Sequence, residues 1–581
     1  MDEFWLTKKR EYDSEINSHP SRFAIRISGN MLLYPMAHVI RADYLSNWNP
    51  KAIQDLLKYF TPERMRIDFA SESVKGTDLK LEPWFKSWYR EEQIPASIKE
   101  AWSSSSELLL HASLCFPSPN KFIPTSLVAR SVECMQLPVR IVDTPSLNMW
   151  YKLSNVDSSC LYFLIHHKGG YSSLENHVMM RLFTEILKDE VNDILYQSQE
   201  AGVSSSITLH DDQLLLKVSG YWEKLNLWLS DIWKSFMNFS LTIKGFEIIK
   251  EKIKTHLSNL DIYYLSDYVL DQVLVEKSYS ICKALEVLDK ISFAGLENFI
   301  HVMRSEIFID GICSGELLPD EAMDISSIFQ TTPVSPLPKD VRHTNRILSL
   351  QTKLRRINVK VSNINSVMKL YFRIGREKGR SMRKRAMIHL FREVIYQVLF
   401  DKLRTEEQLG YIVSCSPHIK CGVLGFTITV VSAKYSPSHL LKRVTKFVNL
   451  IGGHLDTIPQ ESFEDYKDGL IAKLNNDISI TLEEIISKRY TFDSYSREVG
   501  EIKRIKKKHI LRWYRKQFRS CHRIALCLWG SETKMKKKRT KKRNGLRHVK
   551  IPKVLKLSST RLPQMTFKKV RKVVTNRKSS S

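Results

Sequence analysis

Three histidines and a glutamate lie close together in the chain and carry side chains that can bind a metal ion: His166, His167, Glu175 and His177. Their spacing matches no standard zinc signature. Ser172 and Glu175 also fit the S-x-x-E capping box at the start of a helix, which explains Glu175 without a metal. The His-Asp-Asp run at 210–212 is predicted to be a hairpin turn rather than a cation site. We expect no metal site and no cofactor in this chain.

Other zinc and nucleophile signatures are missing from the sequence. The inverted zinc motif H-x-x-E-H does not occur, and His389 with Glu393 comes closest without completing it. The nine cysteines include no C-x-x-C pair, and their odd number favours reduced thiols in an intracellular protein. Cys415 and Cys421 are read as ordinary strand and turn residues, because the sequence shows no base that would activate a catalytic thiol.

The segment 403–413, L-R-T-E-E-Q-L-G-Y-I-V, lies where a helical pattern changes into a strand pattern. It places Arg404 and Tyr411 seven residues apart. A fixed guanidinium and a phenol can both donate hydrogen bonds to a developing negative charge. Each also has a purely structural explanation: Arg404 suits the last turn of a helix, and Tyr411 suits a packed strand.

Most of the positive charge comes from the end of the chain. The net charge is +28, and residues 534–581 hold 19 Lys/Arg with no Asp or Glu, so the rest carries about +9. This segment is predicted to be a solvated, disordered tail. The alternative is a nuclear-import signal or a patch that binds polyanions, including nucleic acid, formed by its first basic residues. They are Lys534, Lys536, Lys537, Lys538, Arg539, Lys541, Lys542 and Arg543.

The 581 residues suffice for about three or four domains. No run of 18 or more apolar residues occurs, so no membrane span is expected. The N-terminus has neither the basic start nor the apolar stretch of a secretory signal. A cytoplasmic protein is the simplest interpretation, and the basic tail makes the nucleus the alternative.

The chain contains an internal repeat. The L-F-x-E runs at 182–185 and 390–393 are 208 residues apart, and Gly202 and Gly410 keep the same offset. In each copy an apolar-periodic helix precedes the glycine and two strand-like runs follow it, the second copy breaking near Pro417. Each copy ends in a helix and a strand, and a third such end is predicted at 50–60 and 65–69. Residues 1–100 therefore correspond to half a repeat, whose sheet needs residues from elsewhere.

The predicted fold class is α+β, with tandem homologous domains in which helices cover mainly antiparallel sheets and with a partial N-terminal domain. Segments rich in Ser and Pro mark the connections between domains. The predicted ranges are 1–102 for the partial domain, 103–147 for a linker, 148–330 for the first whole domain, 331–344 for a connector, 345–533 for the second whole domain and 534–581 for the tail.

Several fragments carry a family resemblance. The run 403–413 resembles the fourth domain of insulysin-type (insulin-degrading) and pitrilysin-type zinc metallopeptidases. The runs at 202–203, 218–221 and 246–251 are similar to the third domain, and Trp84 with the run 119–125 looks like the exit from the second. The resemblance covers residues 25–530, that is, a C-terminal portion of the family's pattern.

The resemblance implies four homologous domains arranged in two bowl-shaped halves that close around a peptide. The zinc motif would lie in the first domain, which precedes the matched region. By motif match, Arg404 and Tyr411 would face the chamber, hold the substrate backbone and stabilise the oxyanion at the scissile carbonyl.

This chain is therefore expected to be inactive alone. Its predicted role is that of a non-catalytic, peptide-binding or complementing C-terminal half, or a fragment of a metalloendopeptidase. Its expected partners are peptides and either a zinc-bearing N-terminal half or an intact homologue. The alternative is a basic, nucleic-acid-associated protein in which the protease fold is a relic.

Overall fold

The structure is a computed structural model of the 581-residue chain. It describes residues 20–40, 49–71, 78–103, 118–125, 130, 132–155, 158–170, 173–331, 334–339, 346–350, 353–377, 382–475, 479–531 and 549–550. These fall into two compact units: Met1–Leu127 with Tyr196–Val203, and Val128–Leu195 with Ser204–Ser581. No helix in these ranges is both long and apolar enough to span a bilayer.

The first unit contains short helices and a two-stranded hairpin. The elements are α1 (Pro20–Leu33), α2 (Pro50–Leu57), β1 (Lys80–Leu81), β2 (Trp88–Tyr89) and α3 (Ala96–Ser103). The helix predicted at 50–60 is present as α2, where Asn49 caps the N-terminus through the Ala52 amide and Pro50 opens the first turn.

The strand predicted at 65–69 is wrong. These residues pair with no strand in the described part of the chain, and the side chains of Met65, Ile67 and Phe69 are 47, 56 and 78 % exposed. A strand is stable when its amides bond to a neighbouring strand and its apolar face packs against other side chains. Alternation of apolar residues along the sequence provides neither of these contacts.

The second unit holds two sheet domains of the same design, except that residues Tyr196–Val203 of the first sheet domain are grouped with the first unit. The first sheet domain contains β3 (Val139–Asp143), β4 (Leu147–Leu153), β5 (Ser159–His167), α4 (Leu174–Glu190), α5 (Asn192–Glu200), β6 (Ser204–His210), β7 (Gln213–Gly220), α6 (Trp222–Asn238), α7 (Ile243–Ser258), α8 (Ile262–Leu274), α9 (Ile281–Lys290), α10 (Phe293–Ser305), β8 (Glu306–Gly315), α11 (Pro319–Gln330) and β9 (Ser335–Pro336).

The second sheet domain repeats most of this order. It contains β10 (Leu354–Lys360), β11 (Ser366–Arg376), α12 (Arg383–Phe400), a π-helix (Asp401–Glu406), β12 (Ile412–Lys420), β13 (Val423–Ser432), α13 (Pro437–Thr457), α14 (Gln460–Asn475), α15 (Ser479–Ile486), α16 (Ser494–Arg504), α17 (Lys507–Trp513), a second π-helix (Tyr514–Phe518) and β14 (His522–Trp529). Of the predicted tail, only β15 (Val549–Lys550) is described, and it pairs with β10.

The strand orders confirm the predicted tandem α+β fold. The first sheet runs β4-β8-β5-β7-β6 and the second runs β10-β14-β11-β13-β12. In each sheet the first pair is parallel and the following pairs are antiparallel. Strand β3 adds to the first sheet beside β4, within the range predicted as linker.

Turns and caps explain how the sequence produces these elements. Asp211 and Asp212 join β6 to β7 with positive φ at both residues, which confirms the hairpin turn predicted at 210–212. Cys421 and Gly422 make the equivalent turn between β12 and β13. Ser436 caps α13 through the His439 amide, with a proline at the first helical position.

Two local predictions are corrected. Strand β12 runs through Pro417, where a break was predicted. It is the outermost strand of its sheet, so the missing proline amide costs no ladder hydrogen bond. Helix α4 is capped by Ser173, which accepts from the Asn176 amide, so Glu175 is not the partner in a capping box. Ser172 lies outside the described residues.

Equivalent helices of the two sheet domains cross to the opposite domain. Helix α8 packs its Ile262, Val269, Leu270 and Leu274 against the second sheet, including Ile524 and Leu526 of β14. Helix α15 packs Leu482 and Ile485 against the first sheet, at Cys160, Tyr162, Leu164, Leu215 and Ile312. Each domain therefore needs a helix of the other to cover one face of its sheet.

Polar contacts accompany both exchanged helices. Lys369 of β11, only 2 % exposed, forms an ion pair with Asp267 of α8. After α15, the Tyr490 hydroxyl donates to the carboxylate of Asp310 in β8, and its ring stacks on Trp150 with 5.6 Å between centroids. Burial lowers the pKa of Lys369, and the hydrogen bond that its ammonium donates to Asp267 opposes that shift. A carboxylate of one sheet domain thus offsets part of the cost of burying an ammonium of the other.

We expect Ile485→Ala to lower the free energy of unfolding by about 2–5 kcal/mol, because it leaves a cavity where α15 meets the first sheet. Urea denaturation measures the change. The matched control is Ile248→Ala on α7, where the isoleucine is 55 % exposed and the effect should stay within about 0.5 kcal/mol. Equal effects of the two substitutions would contradict the exchanged-helix packing.

Candidate functional site

Arg404 lies at the end of a long helix that widens in its last turn. Helix α12 continues into the π-helix Asp401–Glu406, and Leu403 there is fully buried. Such π segments often occur at functional positions in helices. The Arg404 guanidinium carbon lies 5.3 Å from the ring centroid of Phe400 and 4.8 Å from that of Tyr411. The two residues predicted to act together are therefore in contact.

A tight turn reverses the chain between the π-helix and β12. Gln408 has φ +47°, and the Leu409 amide donates to the Leu403 carbonyl over 3.0 Å. Leu409 is 2 % exposed and fixes the turn to the core, whereas Tyr411 is 81 % exposed. The turn therefore presents the phenol to solvent from an immobilised backbone.

Gly410 allows this turn to touch the neighbouring strand. A Cβ atom at this position would lie 1.9 Å from the carbonyl oxygen of Val431 in β13. This is a backbone atom in a ladder, and it cannot move away as the end of a flexible side chain could. Only glycine permits this approach.

An ion pair holds the turn from its other side. Arg443 on α13 donates to both carboxylate oxygens of Glu407, with N–O distances of 2.6 Å. This hydrogen bonding lowers the pKa of Glu407. A two-point contact between a guanidinium and a carboxylate fixes orientation as well as distance. The turn is thus held by apolar, steric and ionic contacts.

A cleft of about 770 Å³ opens beside this turn. It is lined by Asp261, Ile262, Asn365, Phe400, Arg404, Thr405, Gln408, Leu409, Gly410, Tyr411, Ile412, Val431, Ser432, Ala433 and Lys434. Asp261 and Ile262 begin the exchanged helix α8, so both sheet domains contribute to the wall. Asp261 caps that helix by accepting from the Tyr263 amide over 2.8 Å.

The cleft offers donors and an acceptor at its rim. Arg404, Lys434 and Tyr411 can donate to carbonyl oxygens or to an anion, and Asp261 can accept from amides or pair with a cation. A volume of this size accommodates a segment of extended polypeptide or a drug-sized molecule. The arrangement is suited to holding a polar chain.

Sequence analysis missed two of these polar residues. Lys434 follows β13, and the register that pairs Ile412 with Val431 brings it to the same cleft as Tyr411. A hairpin drawn from the two strand patterns could have located it. Asp261 precedes Tyr411 by 150 residues and belongs to the other sheet domain, so local spacing gives no signal for it.

The candidate metal ligands do not converge. Among the described residues, no group of three or more His, Cys, Asp and Glu side chains could hold a metal ion. Both ring nitrogens of His167 lie within hydrogen-bonding distance of backbone carbonyls, Lys168 at 3.0 Å and Asp212 at 2.8 Å. His177 pairs with the Asp212 carboxylate, and Glu175 is exposed. The zinc of the resembled family therefore finds no fitting ligand set in the described residues.

The remaining titratable candidates have structural roles. His389 hydrogen-bonds to Glu498 over 2.6 Å, and Glu393 pairs with Lys473 and Arg392, also at 2.6 Å. Cys415 is buried in β12 and Cys421 lies in the turn, as predicted. Burial raises the pKa of these thiols to about 12 and about 11, so neither is an activated nucleophile. The basic residues 534–543 lie outside the described residues.

Two sequence profiles match the chain. The middle or third domain of peptidase M16 matches residues 12–287, and the C-terminal lobe domain 4 of PqqF-like PQQ synthase proteins matches residues 390–485. The second profile covers Arg404 and Tyr411. Together the two profiles cover residues 12–287 and 390–485 of the chain.

Two curated relatives align along most of the chain. A nardilysin-like protein of Arabidopsis thaliana is 40% identical over 546 residues, which cover 89% of this chain and 53% of that protein. Human insulin-degrading enzyme is 26% identical over 525 residues, covering 85% of this chain and 50% of the enzyme. The chain thus spans about half the length of the relatives it matches.

Solved structures share the fold. The crystal structure of pitrilysin matches with a TM-score of 0.69 at 16% identity, over 94% of this chain and 59% of that chain. A peptidase M16 inactive domain from Pseudomonas fluorescens matches with a TM-score of 0.52 at 11% identity, over 69% of this chain and 99% of that domain. At these identities the likeness concerns the fold alone.

We expect Gly410→Ala to destabilise the second sheet domain by about 1–3 kcal/mol and to displace the Arg404–Tyr411 turn, because the added methyl meets the Val431 carbonyl. The control is Gly500→Ala in α16, where a Cβ meets nothing within 4 Å and alanine should be neutral or stabilise by up to about 1 kcal/mol. Chemical denaturation measures both variants. A Gly410→Ala protein as stable as Gly500→Ala would refute the close approach.

Proposed function

The chain belongs to the insulysin- and pitrilysin-type (M16) peptidase family, and we propose that it supplies the non-catalytic wall of a peptide-binding chamber. In this proposal it binds an extended peptide in the cleft beside Arg404 and Tyr411. Cleavage then requires a zinc-bearing half, provided by a separate chain or by an intact relative. The alternative, a fragment of a longer metalloendopeptidase, assigns the same role to the same cleft.

The observation that carries the proposal is the contact between Arg404 and Tyr411 at the rim of a cleft. The guanidinium lies 4.8 Å from the phenol ring centroid, and the turn that carries both is held by Leu409, Gly410 and Glu407. Donors held in place before the substrate arrives lose little entropy on binding it. This is what a peptide-backbone contact in a chamber wall requires.

Each polar residue of the cleft has a proposed task. Arg404 donates to a substrate carbonyl through its planar guanidinium. Tyr411 donates its phenolic hydrogen to the oxygen that becomes negative when the scissile carbonyl is attacked. Lys434 donates to acceptor groups of the flanking substrate residues, and Asp261 accepts from their donor groups.

In this proposal the attacking group comes from the zinc-bearing half and not from the described residues of this chain. The described residues offer no cluster of metal ligands, and the zinc of the resembled catalytic domain would supply an activated water at neutral pH. We therefore assign this chain no metal ligand and no general base. Its contribution is to bind and orient the peptide and to donate hydrogen bonds.

A cytoplasmic location belongs to the proposal. It is supported by eight free cysteines among the described residues, four of them buried, since reduced thiols are typical of intracellular proteins. The nucleus and a nucleic-acid role for the tail are alternatives that rest on the composition of residues 534–581.

We expect the purified chain to hydrolyse no peptide, with or without added zinc. Mixed with the zinc-bearing N-terminal half of a family member, it should restore cleavage of a peptide that the N-terminal half alone leaves intact. A fluorogenic peptide assay follows the activity. Chelator-sensitive cleavage by the chain alone, after rigorous removal of contaminating proteases, would overturn the proposal.

In the restored enzyme, Tyr411→Phe should lower kcat by roughly 10- to 1000-fold, with a smaller effect on peptide binding. The reason is that the lost hydroxyl donates mainly in the transition state. Tyr435→Phe is the matched control, since this tyrosine lies on the same domain outside the cleft and stacks on His439. Equal effects of the two substitutions on kcat would show that the Tyr411 hydroxyl takes no part in the reaction.

A further inference from the structure

Positive charge outside the tail is concentrated in one folded segment. Residues 502–530 hold ten Lys/Arg and no Asp or Glu. The chain carries +28, of which the tail supplies 19 and residues 502–530 supply ten, so all the remaining residues together sum to about −1. The excess charge of the folded part is therefore confined to the end of α16, to α17 and to the π-helix that follows.

The apolar and basic residues of this segment lie on opposite faces. Ile510, Trp513, Tyr514 and Phe518 are buried in the core of the second sheet domain. Lys508, Arg512, Arg515 and Arg519 recur at intervals of four, three and four residues and are all exposed. Side chains at this spacing follow one stripe along a helix. At no more than 1.5 Å per residue, the rise of an α-helix, the stripe along α17 and the π-helix is at most about 16 Å long. We call these four residues the basic stripe.

Neighbouring cations extend the basic stripe. Lys503, Arg504, Lys506 and Lys516 are exposed as well. Arg383 also lies close to His509, whose pKa is lowered by burial and then by Arg383, Lys508, Arg512 and Lys506. In agreement, the His509 ring accepts a hydrogen bond from the Lys506 amide over 3.2 Å. The cations thus form one continuous surface.

Few carboxylates neutralise this surface. Glu501 pairs with Arg383 at 3.1 Å and approaches Arg504 at 3.4 Å, and Arg515 reaches Asp456 only at 4.0 Å. Within the described part of the chain, Lys508, Arg512 and Arg519 form no ion pair. Uncompensated like charges held together on a rigid element repel one another. A bound polyanion relieves this repulsion.

We propose that the basic stripe binds the phosphate backbone of a nucleic acid without reading its sequence. Phosphates follow one another about every 3.4 Å along each strand of a duplex, so a stripe of at most about 16 Å spans roughly four to five of them. Three of its four residues are arginines, whose planar fork suits phosphate oxygens. The stripe carries no exposed aromatic residue for stacking on bases, which leaves backbone contacts alone.

The same features disfavour an anionic membrane. A helix that lies in a membrane interface presents apolar side chains to the lipid. Here the apolar face is buried in the domain core, and the exposed face is basic and polar. This proposal concerns a surface that the peptide cleft does not use, so it does not depend on the proposed function.

The experiment uses the full-length chain and the quadruple variant Lys508→Gln, Arg512→Gln, Arg515→Gln, Arg519→Gln. The control variant removes the same charge from exposed lysines of the first sheet domain: Lys234→Gln, Lys244→Gln, Lys252→Gln and Lys283→Gln. Binding of a short DNA duplex is measured against salt concentration. The slope of log affinity against log salt should become shallower by about three to four in the quadruple variant, and by less than about one in the control.

A second readout separates the stripe from the tail. Acetylation of exposed lysines, followed by mass spectrometry, should show that DNA protects Lys508 and Lys516 while Lys244 and Lys252 stay reactive. Parallel samples contain polyglutamate or vesicles rich in phosphatidylserine. An unchanged salt slope in the quadruple variant, or undiminished reactivity of Lys508 and Lys516, would overturn the proposal. So would protection by polyglutamate or vesicles equal to that by DNA.

Discussion

The exchange of α8 and α15 is the constraint on which the rest of the second unit depends. Each sheet has one face that its own domain leaves uncovered, and the helix that covers it comes from the other domain. Burying a sheet face is the main source of stability for such a domain. Neither sheet domain can therefore keep its packing when the other is removed, and the two behave as one structural element.

The exchange also builds the cleft. Asp261 and Ile262, at the start of α8, line the same wall as Arg404 and Tyr411 of the second sheet domain. The ion pairs Lys369–Asp267 and Lys420–Asp271 tie α8 to strands β11 and β12. Because β12 begins next to Tyr411, contacts that position the helix also position the turn. A site made by two domains thus acquires the rigidity that a preorganised contact needs.

Local sequence patterns predicted most helices, strands and turns. Where these predictions were wrong, contacts with residues distant in the sequence determined the structure. The two repeats, the turn at 210–212 and the cap at Ser436 follow from periodicity, turn residues and capping chemistry, all of which act within a few residues. Pro417 reads as a break in sequence, yet it is tolerated because β12 is an outermost strand. The 65–69 segment alternates like a strand but has no partner among the described residues.

In the candidate site, too, some residues could be predicted from a local segment and others could not. Arg404 and Tyr411 were identified from one short segment, since a single turn brings them together. The contribution of Asp261 could not be predicted, because it depends on which sheet α8 covers. That choice is made by packing between residues 100 or more positions apart, such as Lys369 and Asp267, which no local pattern encodes. The basic stripe was overlooked because the tail dominates the charge of the sequence.

Peptide binding by the full-length chain tests the central claim most directly. The measurement is the fluorescence anisotropy of a labelled, uncharged, extended peptide titrated with wild type, Arg404→Gln and the control Arg392→Gln, whose guanidinium pairs with Glu393 away from the cleft. We predict saturable binding that Arg404→Gln weakens by about 10-fold or more and Arg392→Gln leaves unchanged, because a charged hydrogen bond contributes about 1.5–3 kcal/mol. Equal affinity of wild type and Arg404→Gln, or no saturable binding by wild type, would contradict the account.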